Sequence, residues 1–263
     1  MTDKSLAGKN LVIVGGTTGM GLSAAKIFIK NGATVIIVGR NEESAADALR
    51  VLGEQAEAYV GDAIHPSTST EAIEICIRSF GSFDGLYHVA GGSGRRMGDG
   101  PLHELTLEGW SKTLELNLTS LMLSNQAAIK QFLARDTDGT ILNMGSILSY
   151  SPSPQYFATH AYAAAKAAVI GFSKSIASYY AKNNIRVNVI VPALVETPMA
   201  QRAAEDENII SYIKTKQPLE GGRIGHPTDL DGLAVYFMSN LSRFTTGQVI
   251  AVDGGWSISD GQI

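Results

Sequence analysis

A tyrosine and a lysine four residues apart form the first pattern in this sequence that could perform chemistry. Tyr162 and Lys166 belong to the segment YAAAK, within a long alanine-rich stretch of helical character. Residues at positions i and i+4 share one face of a helix, so the phenol and the amine can meet. A neighbouring ammonium stabilises a phenolate, whose ordinary pKa is about 10. The pair predicts proton transfer by Tyr162, although such a pair taken alone also occurs as a packing residue beside a solvated charge.

Two polar residues upstream strengthen that prediction. Ser146 ends a predicted strand in the segment ILNMGSILS, and open α/β sheets bind their ligands at such strand ends. Asn117 lies in the apolar helical segment LELNLTS, where a polar amide requires a hydrogen-bond partner. We therefore expect both residues to share one site with the tyrosine and the lysine.

A glycine-rich turn, GGTTGMG at residues 15–21, follows the first apolar run and precedes a helical pattern. Glycine permits a close approach of the backbone, and the N–H groups and dipole of a helix N-terminus stabilise a pyrophosphate. A tight turn that binds nothing would have the same composition, so the neighbouring patterns must distinguish the two. Together with the predicted strand edge, the turn indicates a dinucleotide site.

The end of the second predicted strand, Val38 to Arg40, bears on the choice of dinucleotide. Dinucleotide-binding folds often place an acidic residue there to hold the 2′-hydroxyl of NAD, whereas an arginine accommodates the 2′-phosphate of NADP. This chain has no carboxylate at that point, and the guanidinium of Arg40 can bind a phosphate through two hydrogen bonds. We predict that NADP(H) is preferred over NAD(H). The alternative is that Arg40 is a solvated residue at the start of the next helix.

The elements that must position these residues are short apolar runs that alternate with longer helical segments. This alternation is typical of an α/β fold with a doubly wound parallel sheet and helices on both faces. Pro and Gly cluster at the predicted strand ends and no linker divides the chain, so we expect one domain over residues 1–263. The predicted strands, about seven in number, cover residues 11–14, 34–39, 56–60, 84–90, 140–144, 186–192 and 248–253.

Composition and charge argue against several classes of function. A net charge of -4 gives no basic surface of the kind that binds nucleic acid, and 44% hydrophobic with 17% charged residues is typical of a globular protein. No apolar run approaches the roughly 20 residues of a membrane span, and the first residues lack a signal-peptide pattern. The single cysteine, Cys76, fits a core position, and the five histidines lack the spacing of a metal site. We expect a cytoplasmic protein that acts on small molecules without a metal.

Taken together, the motifs resemble those of the short-chain dehydrogenase/reductase family, from about residue 5 to residue 257. The glycine turn matches the pattern T-G-x-x-x-G-x-G, with Val14 in place of the threonine, and the polar residues match the family's Asn, Ser and Tyr-x-x-x-Lys set. The resemblance implies a single-domain Rossmann fold and a homotetramer. It also implies an NAD(P)(H)-dependent oxidoreductase that interconverts a secondary alcohol and a ketone of 3-oxoacyl, sugar, steroid or cyclic type.

The resemblance further implies a role for each matched polar residue. Ser146 would orient the substrate oxygen, and Tyr162 would exchange a proton with it as general acid or base. Lys166 would bind the nicotinamide ribose and favour the phenolate, while Asn117 would hold a water molecule in the proton relay. Hydride transfer itself belongs to the cofactor.

The cofactor contacts implied by the resemblance run from the adenine to the nicotinamide. Asp62, in the segment GDA, would contact the adenine, whereas the backbone near Val195 and the hydroxyl of Thr197 would hold the carboxamide. Thr17 and Thr18 occupy positions where some NADP-dependent relatives carry a second basic residue. The complete set expected to bind the cofactor comprises Gly15, Thr17, Thr18, Gly19, Met20, Gly21, Arg40, Asp62, Ala63, Ala90, Gly91, Tyr162, Lys166, Pro192, Val195 and Thr197.

Three departures from the family pattern fall at informative places. The usual Asn-Asn-Ala-Gly is replaced by His88 to Gly91, so the asparagine side chains that brace the centre of the sheet are lost, and Ala193 replaces a glycine. About three additional residues separate Ser146 from Tyr162, and we expect the loop over the substrate to have its own shape. None of these changes removes a reacting group.

Two alternative functions and three nearby side chains stay open. A catalytically idle relative could use bound dinucleotide as a sensor or regulator, and a lyase or epimerase on the same scaffold would leave the nicotinamide absorbance unchanged. Arg95 and Arg96, in the loop at 91–100, could meet an anionic substrate, but we expect solvated charges there. His160 precedes Tyr162 by two residues and points away from it on a helix, which predicts a structural position or the rim of the site.

Overall fold

Seven strands form one parallel sheet in the computed structural model, which describes residues 4–261. Residues 1–3 and 262–263 of the expected domain lie outside the described residues. The strands are β1 (Asn10–Val14), β2 (Thr34–Gly39), β3 (Ala56–Val60), β4 (Gly85–His88), β5 (Gly139–Met144), β6 (Ile185–Pro192) and β7 (Val249–Val252). Their spatial order is β3-β2-β1-β4-β5-β6-β7, which confirms the expected α/β architecture.

Helices connect successive strands and cover both faces of the sheet. They are α1 (Gly19–Lys30), α2 (Glu42–Leu52), α3 (Thr68–Phe80), α4 (Leu107–Leu114), α5 (Ser120–Arg135), α6 (His160–Tyr180), α7 (Gln201–Ala204), α8 (Glu207–Lys216) and α9 (Asp231–Met238). A π-helical turn, Glu115–Thr119, joins α4 directly to α5. None of the helices within residues 4–261 combines the length and the apolar character that crossing a membrane requires.

The residues of the central strands face two helical layers alternately, because successive side chains of a strand point to opposite faces. In β1, Leu11 and Ile13 share a cluster with Phe28 of α1 and with side chains of α9. Val12 and Val14 pack instead with side chains of α3 and α5. All four β1 side chains are fully buried, which explains why the strand is a continuous apolar run rather than an alternating one.

The carboxyl ends of the strands carry the segments that the sequence predicts to be functional. The strand order reverses between β1 and β4, and open α/β sheets bind ligands in the crevice at such a point. The glycine turn follows β1, Arg40 follows β2, and Ser146 lies two residues beyond β5. The parallel arrangement therefore brings these segments to one edge of the sheet.

Candidate active site

The four predicted catalytic side chains line one pocket, which we call the Tyr162 pocket. Tyr162 and Lys166 lie one turn apart near the start of α6, and the Lys166 Nζ is 5.7 Å from the centroid of the Tyr162 ring. Ser146 enters from the end of β5, and Asn117 from the π-helical turn. The arrangement brings a phenol, a hydroxyl and an ammonium to the same cavity.

Lys166 is buried, with 3% of its surface exposed. Its ammonium donates a hydrogen bond of 2.9 Å to the carbonyl oxygen of Met144, at the end of β5. Burial lowers the pKa of Lys166 from 10.5 to about 8, because the charged form loses solvation. A ligand hydroxyl or anion that accepts a hydrogen bond from this ammonium would restore part of that solvation.

Tyr162 is held as a neutral phenol in this environment. Burial raises the pKa of Tyr162 above its ordinary value, and hydrogen bonding by the neighbouring Ser146 hydroxyl offsets part of the rise. A neutral phenol can donate a proton, whereas abstraction of a proton requires the phenolate. Stabilising the phenolate therefore requires a further positive charge, such as that of an oxidised nicotinamide.

Asn117 fixes the loop that follows β4. Its side-chain amide donates to the carbonyl oxygens of Gly92 at 2.8 Å and Thr113 at 2.9 Å, and its oxygen accepts from the N–H of Gly92 at 3.1 Å. A Cβ at Gly91 would lie 2.6 Å from the Asn117 Oδ1 and 3.4 Å from the Lys166 Nζ. Only glycine lets the backbone pass this close to both side chains. The Asn117 amide therefore has the hydrogen-bond partners that a polar group in an apolar segment requires.

Asp99 is a site residue that the sequence analysis missed. Its side chain is 5% exposed, and its two carboxylate oxygens accept hydrogen bonds from the N–H groups of Ala161 at 3.0 Å and Tyr162 at 2.9 Å. Thr159, the residue that precedes α6, makes no side-chain hydrogen bond to the helix. The carboxylate therefore caps the helix that carries Tyr162 from 63 residues away in the chain, a separation that no local sequence pattern reveals.

A second cavity, the glycine-turn groove, runs along the carboxyl edge of the sheet. Gly15 has a φ of +86°, and a Cβ there would lie 2.6 Å from the N of Ala90. The next helix, α1, begins at Gly19, where Thr18 forms no side-chain cap and the first turn contains no acidic residue. The N–H groups of that turn are thus unopposed by protein anions, as binding of a pyrophosphate requires.

The groove and the Tyr162 pocket meet. Met20, Val89, Gly91, Thr197 and Met199 line both cavities, so an extended molecule could reach from the glycine turn to the catalytic side chains. The predicted cofactor residues that line the groove are Gly15, Thr17, Thr18, Gly19, Met20, Arg40, Asp62, Ala63, Ala90, Gly91 and Thr197. These features fit an NAD-type dinucleotide.

Five predicted cofactor residues lie outside the groove, among them Tyr162 and Lys166, which line the Tyr162 pocket. Pro192 and Val195 line the Tyr162 pocket rather than the groove. Gly21 lines neither cavity, because it packs behind the turn, where a Cβ would overlap the carbonyl oxygen of Gly15. Its absence of a side chain lets α1 pack against the turn.

Arg40 and Asp62 lie together at the far end of the groove. Their charged atoms are 3.7 Å apart, and 67% of the Arg40 side chain is exposed. Such an exposed and loose ion pair is worth little, so the guanidinium can turn to another anion at small cost.

The loop between Ser146 and Tyr162 forms an aromatic wall of the Tyr162 pocket. Phe157 contacts Trp256 edge-on, with ring centroids 5.8 Å apart, and the Trp256 indole donates to the Ser151 carbonyl oxygen. The Ser153 hydroxyl also donates to the Tyr212 hydroxyl of α8. The lengthened segment is therefore anchored to α8 and to the C-terminal part of the chain.

The three side chains whose roles the sequence left undecided differ in whether they line the pocket. His160 is exposed at the start of α6 and does not line the pocket. Arg96 is exposed and also lies outside it, as expected of a solvated charge. Arg95 is exposed as well, but it lines the pocket and donates a hydrogen bond of 2.8 Å to the Tyr156 carbonyl oxygen, so it is placed to meet a ligand there.

His88 provides a different brace for the centre of the sheet. It is fully buried on β4, and its Nδ1 lies 2.8 Å from the Ser124 hydroxyl on α5. Burial, with a smaller contribution from the charge of Lys166, lowers the pKa of His88 to about 3. An amide pair between Asn125 and Asn143, with both contacts at 2.9 Å, ties α5 to β5 beside it.

Among residues 4–261, no group of three or more His, Cys, Asp or Glu side chains is placed to hold a metal ion. Cys76 is buried on α3, and burial raises the pKa of its thiol to about 12. Neither observation adds a reacting group to the pocket.

Comparison with known proteins agrees with this geometry. A family model described as enoyl-(acyl carrier protein) reductase matches residues 14–257. A 2,5-dichloro-2,5-cyclohexadiene-1,4-diol dehydrogenase from Sphingobium indicum is 32% identical over 96% of this chain and 98% of its own length. A 3-oxoacyl-(acyl-carrier-protein) reductase from Chlamydia muridarum is 32% identical over 95% and 98%, respectively. The solved structure of a short-chain type dehydrogenase/reductase from Mycobacterium ulcerans has a TM-score of 0.88 at 28% identity, covering 97% of this chain and 92% of that chain.

Proposed function

Because the chain belongs to the short-chain dehydrogenase/reductase family, we propose that it transfers hydride between a nicotinamide cofactor and a carbon that alternates between secondary alcohol and ketone. The observation that carries this proposal is that the glycine-turn groove joins the Tyr162 pocket, which Tyr162, Lys166 and Ser146 line. Relatives that share the fold are a diol dehydrogenase and a 3-oxoacyl reductase, and both names describe this type of reaction.

Each side chain has a role in this proposal. Ser146 donates to the substrate oxygen and orients it, and Tyr162 transfers its proton to the same oxygen as hydride reaches the carbon. The cofactor, when bound, supplies that hydride. Lys166, whose ammonium keeps donors beyond its bond to Met144, holds the ribose hydroxyls.

Asn117 has a positioning part in the proposal. Its side-chain amide holds Gly92 and thereby the loop next to Lys166. The water molecule expected at Asn117 stays a prediction. The side-chain atoms of Asn117 already form hydrogen bonds to the backbone.

Replacing Tyr162 by Phe tests the catalytic assignment. The variant keeps the ring but loses the transferable proton, and we expect kcat for ketone reduction to fall by about 10²- to 10⁴-fold. Cofactor affinity, measured by fluorescence titration, should change little. Undiminished turnover would reject the assignment of Tyr162 as the proton donor.

We also propose a preference for NADP(H), supported by Arg40 at the end of the groove. Replacing Arg40 by Leu should raise the KM for NADPH by about tenfold or more, because a charge-assisted hydrogen bond to the 2′-phosphate is lost, and should leave that for NADH nearly unchanged. Arg50→Leu is the matched control, since Arg50 lies outside the groove and pairs with Asp47. A wild-type protein that prefers NADH would contradict the role of Arg40.

Three broader proposals accompany the activity. We propose that the chain folds as a single domain, acts in the cytoplasm and assembles as a homotetramer. One continuous sheet supports the first, and a lone buried cysteine fits the reducing conditions of the second. Exposed apolar side chains near the edge strand β7 support the third: Phe244, Ile250 and Ile258.

A further inference from the structure

Two arginines from different elements line the Tyr162 pocket. Arg95 belongs to the loop after β4, and Arg202 belongs to α7. Both side chains are exposed. Partial burial, and in second place repulsion by the charge of Arg202, lowers the pKa of Arg95. Like charges brought together from separate parts of the chain are unfavourable unless a counter-charge joins them.

No protein carboxylate supplies that counter-charge. Neither arginine forms an ion pair with any residue in the described part of the chain, and no Asp or Glu there lines the pocket. Asp99 acts on Arg95 from nearby, but both of its oxygens already accept N–H groups of α6. The pocket therefore carries positive charge in a chain whose net charge is -4.

The rest of the pocket lining includes many apolar side chains. They include side chains from the lengthened loop, from the segment after β6 and from the C-terminal part of the chain: Leu148, Phe157, Leu194, Met199 and Trp256. The hydrogen bond from Arg95 to the Tyr156 carbonyl oxygen holds one guanidinium in place beside this wall. The pocket thus combines the reacting side chains, apolar surface and two guanidinium groups.

We propose that the substrate is a ketone or secondary alcohol with an apolar body that carries a carboxylate, and that Arg95 and Arg202 hold this carboxylate while Tyr162 faces the reacting oxygen. Arginine binds carboxylates through two parallel hydrogen bonds, which would also fix the reacting carbon at the nicotinamide. A monoanion suits the apolar surroundings better than a phosphate, whose second charge costs more to desolvate. The inference rests on the proposed oxidoreductase activity.

Binding of matched acids and esters tests the proposal. The probes are 4-oxocyclohexanecarboxylate and 5-oxohexanoate, each with its methyl ester, titrated calorimetrically into the protein saturated with oxidised cofactor. We expect at least one acid to bind about tenfold more tightly than its ester. Raising the salt concentration should weaken binding of that acid and leave the ester unaffected.

Variants then assign the effect to the two arginines. Arg95→Gln and Arg202→Gln should each reduce the preference for the acid by about tenfold, whereas Arg95→Lys should retain part of it. Arg202→Gln is the cleaner variant, because Arg95 also binds Tyr156. Arg96→Gln is the matched control, since Arg96 lies one residue further along the same loop and outside the pocket. It should leave the preference intact.

The outcomes separate this proposal from the proposed function. Equal binding of acid and ester in both pairs, or a preference that survives both glutamine variants, would overturn the carboxylate site even if the ketones are reduced. Arginine-dependent binding of an acid supports the site whether or not the probe turns over. If the wild-type protein reduced neither the acids nor the esters, that result would count against the oxidoreductase proposal alone.

Discussion

Asp99 shows how a single side chain controls the geometry of the candidate active site without touching a reacting atom. Its carboxylate binds the N–H group of Tyr162 itself, so it sets both the start of α6 and the position of the phenol. The favourable interaction of a carboxylate with a helix N-terminus is worth roughly 0.3–1 kcal/mol when exposed and more when partly buried. The residue is therefore expected to matter for position more than for stability.

Replacing Asp99 by Asn should test that expectation at the level of one residue. The amide keeps one acceptor and loses the charge, so we expect kcat to fall several-fold, cofactor KM to change little and the Tm to fall by a few degrees. Asp206→Asn is the control, because the carboxylate of Asp206 also caps a helix, as the local N-cap of α8, and lies outside the pocket. It should lower the Tm without lowering kcat. Equal kcat losses in the two variants would show that Asp99 acts through stability alone.

At the scale of secondary-structure elements, the packing of α5 against β4 buries a neutral histidine. His88 contacts Ser124 and lies under α5, and its pKa of about 3 is far below its ordinary value of 6.5. The unfolded chain consequently binds one more proton than the folded protein between these two values. Stability from this residue is complete above pH 6.5 and is lost as the pH falls, by about 1 kcal/mol per pH unit.

His88→Asn removes this titration and retains a polar side chain beneath α5. Urea unfolding of both proteins at pH 7.5, 6.5 and 5.5 gives the difference between their free energies of unfolding. We expect that difference to shift in favour of the variant by about 1 kcal/mol from pH 6.5 to pH 5.5, whatever its value at pH 7.5. Parallel pH profiles would mean that His88 has the same pKa in the folded and the unfolded protein, which would contradict this prediction.

The strands and the glycine turn were predictable because their signals are local. Six consecutive residues, 34–39, are enough to predict a buried strand. Five residues, YAAAK, contain the whole i, i+4 pair. Asp99 and Arg202 were not predictable, because each acts on residues about 60 to 100 positions away and only the folded chain brings them together. The same limit explains why the sequence did not distinguish Arg95, which lines the pocket, from the adjacent Arg96, which does not, although both are exposed.

At the scale of the whole molecule, the surface around the edge strand β7 exposes apolar side chains that another chain could cover. Phe244 is completely exposed, Ile258 is 91% exposed, and Ile250 lies on the strand itself. An open sheet edge with apolar neighbours is a site for association between chains. This surface agrees with the proposed tetramer, whose interfaces are expected to include β7 and the helices that carry Asn117 and Tyr162.

Light scattering at micromolar protein concentration should give a mass of about four times the 27.9 kDa chain. Phe244→Asp places a charge in the proposed interface and should reduce the mass. Val51→Asp, at an exposed apolar position on α2, should leave it unchanged. A wild-type mass equal to one chain would refute the tetramer.

The cap that Asp99 forms on α6 also affects the order of events during folding. The first turn of α6 is completed only when a segment more than 60 residues earlier in the chain has docked, and closing so long a loop costs more entropy than forming a local helical turn. During refolding, helical circular dichroism should therefore recover before the Tyr162 hydroxyl reaches its working position. Catalytic competence would be among the last properties the molecule acquires, and a newly made chain would pass through a folded but inactive stage.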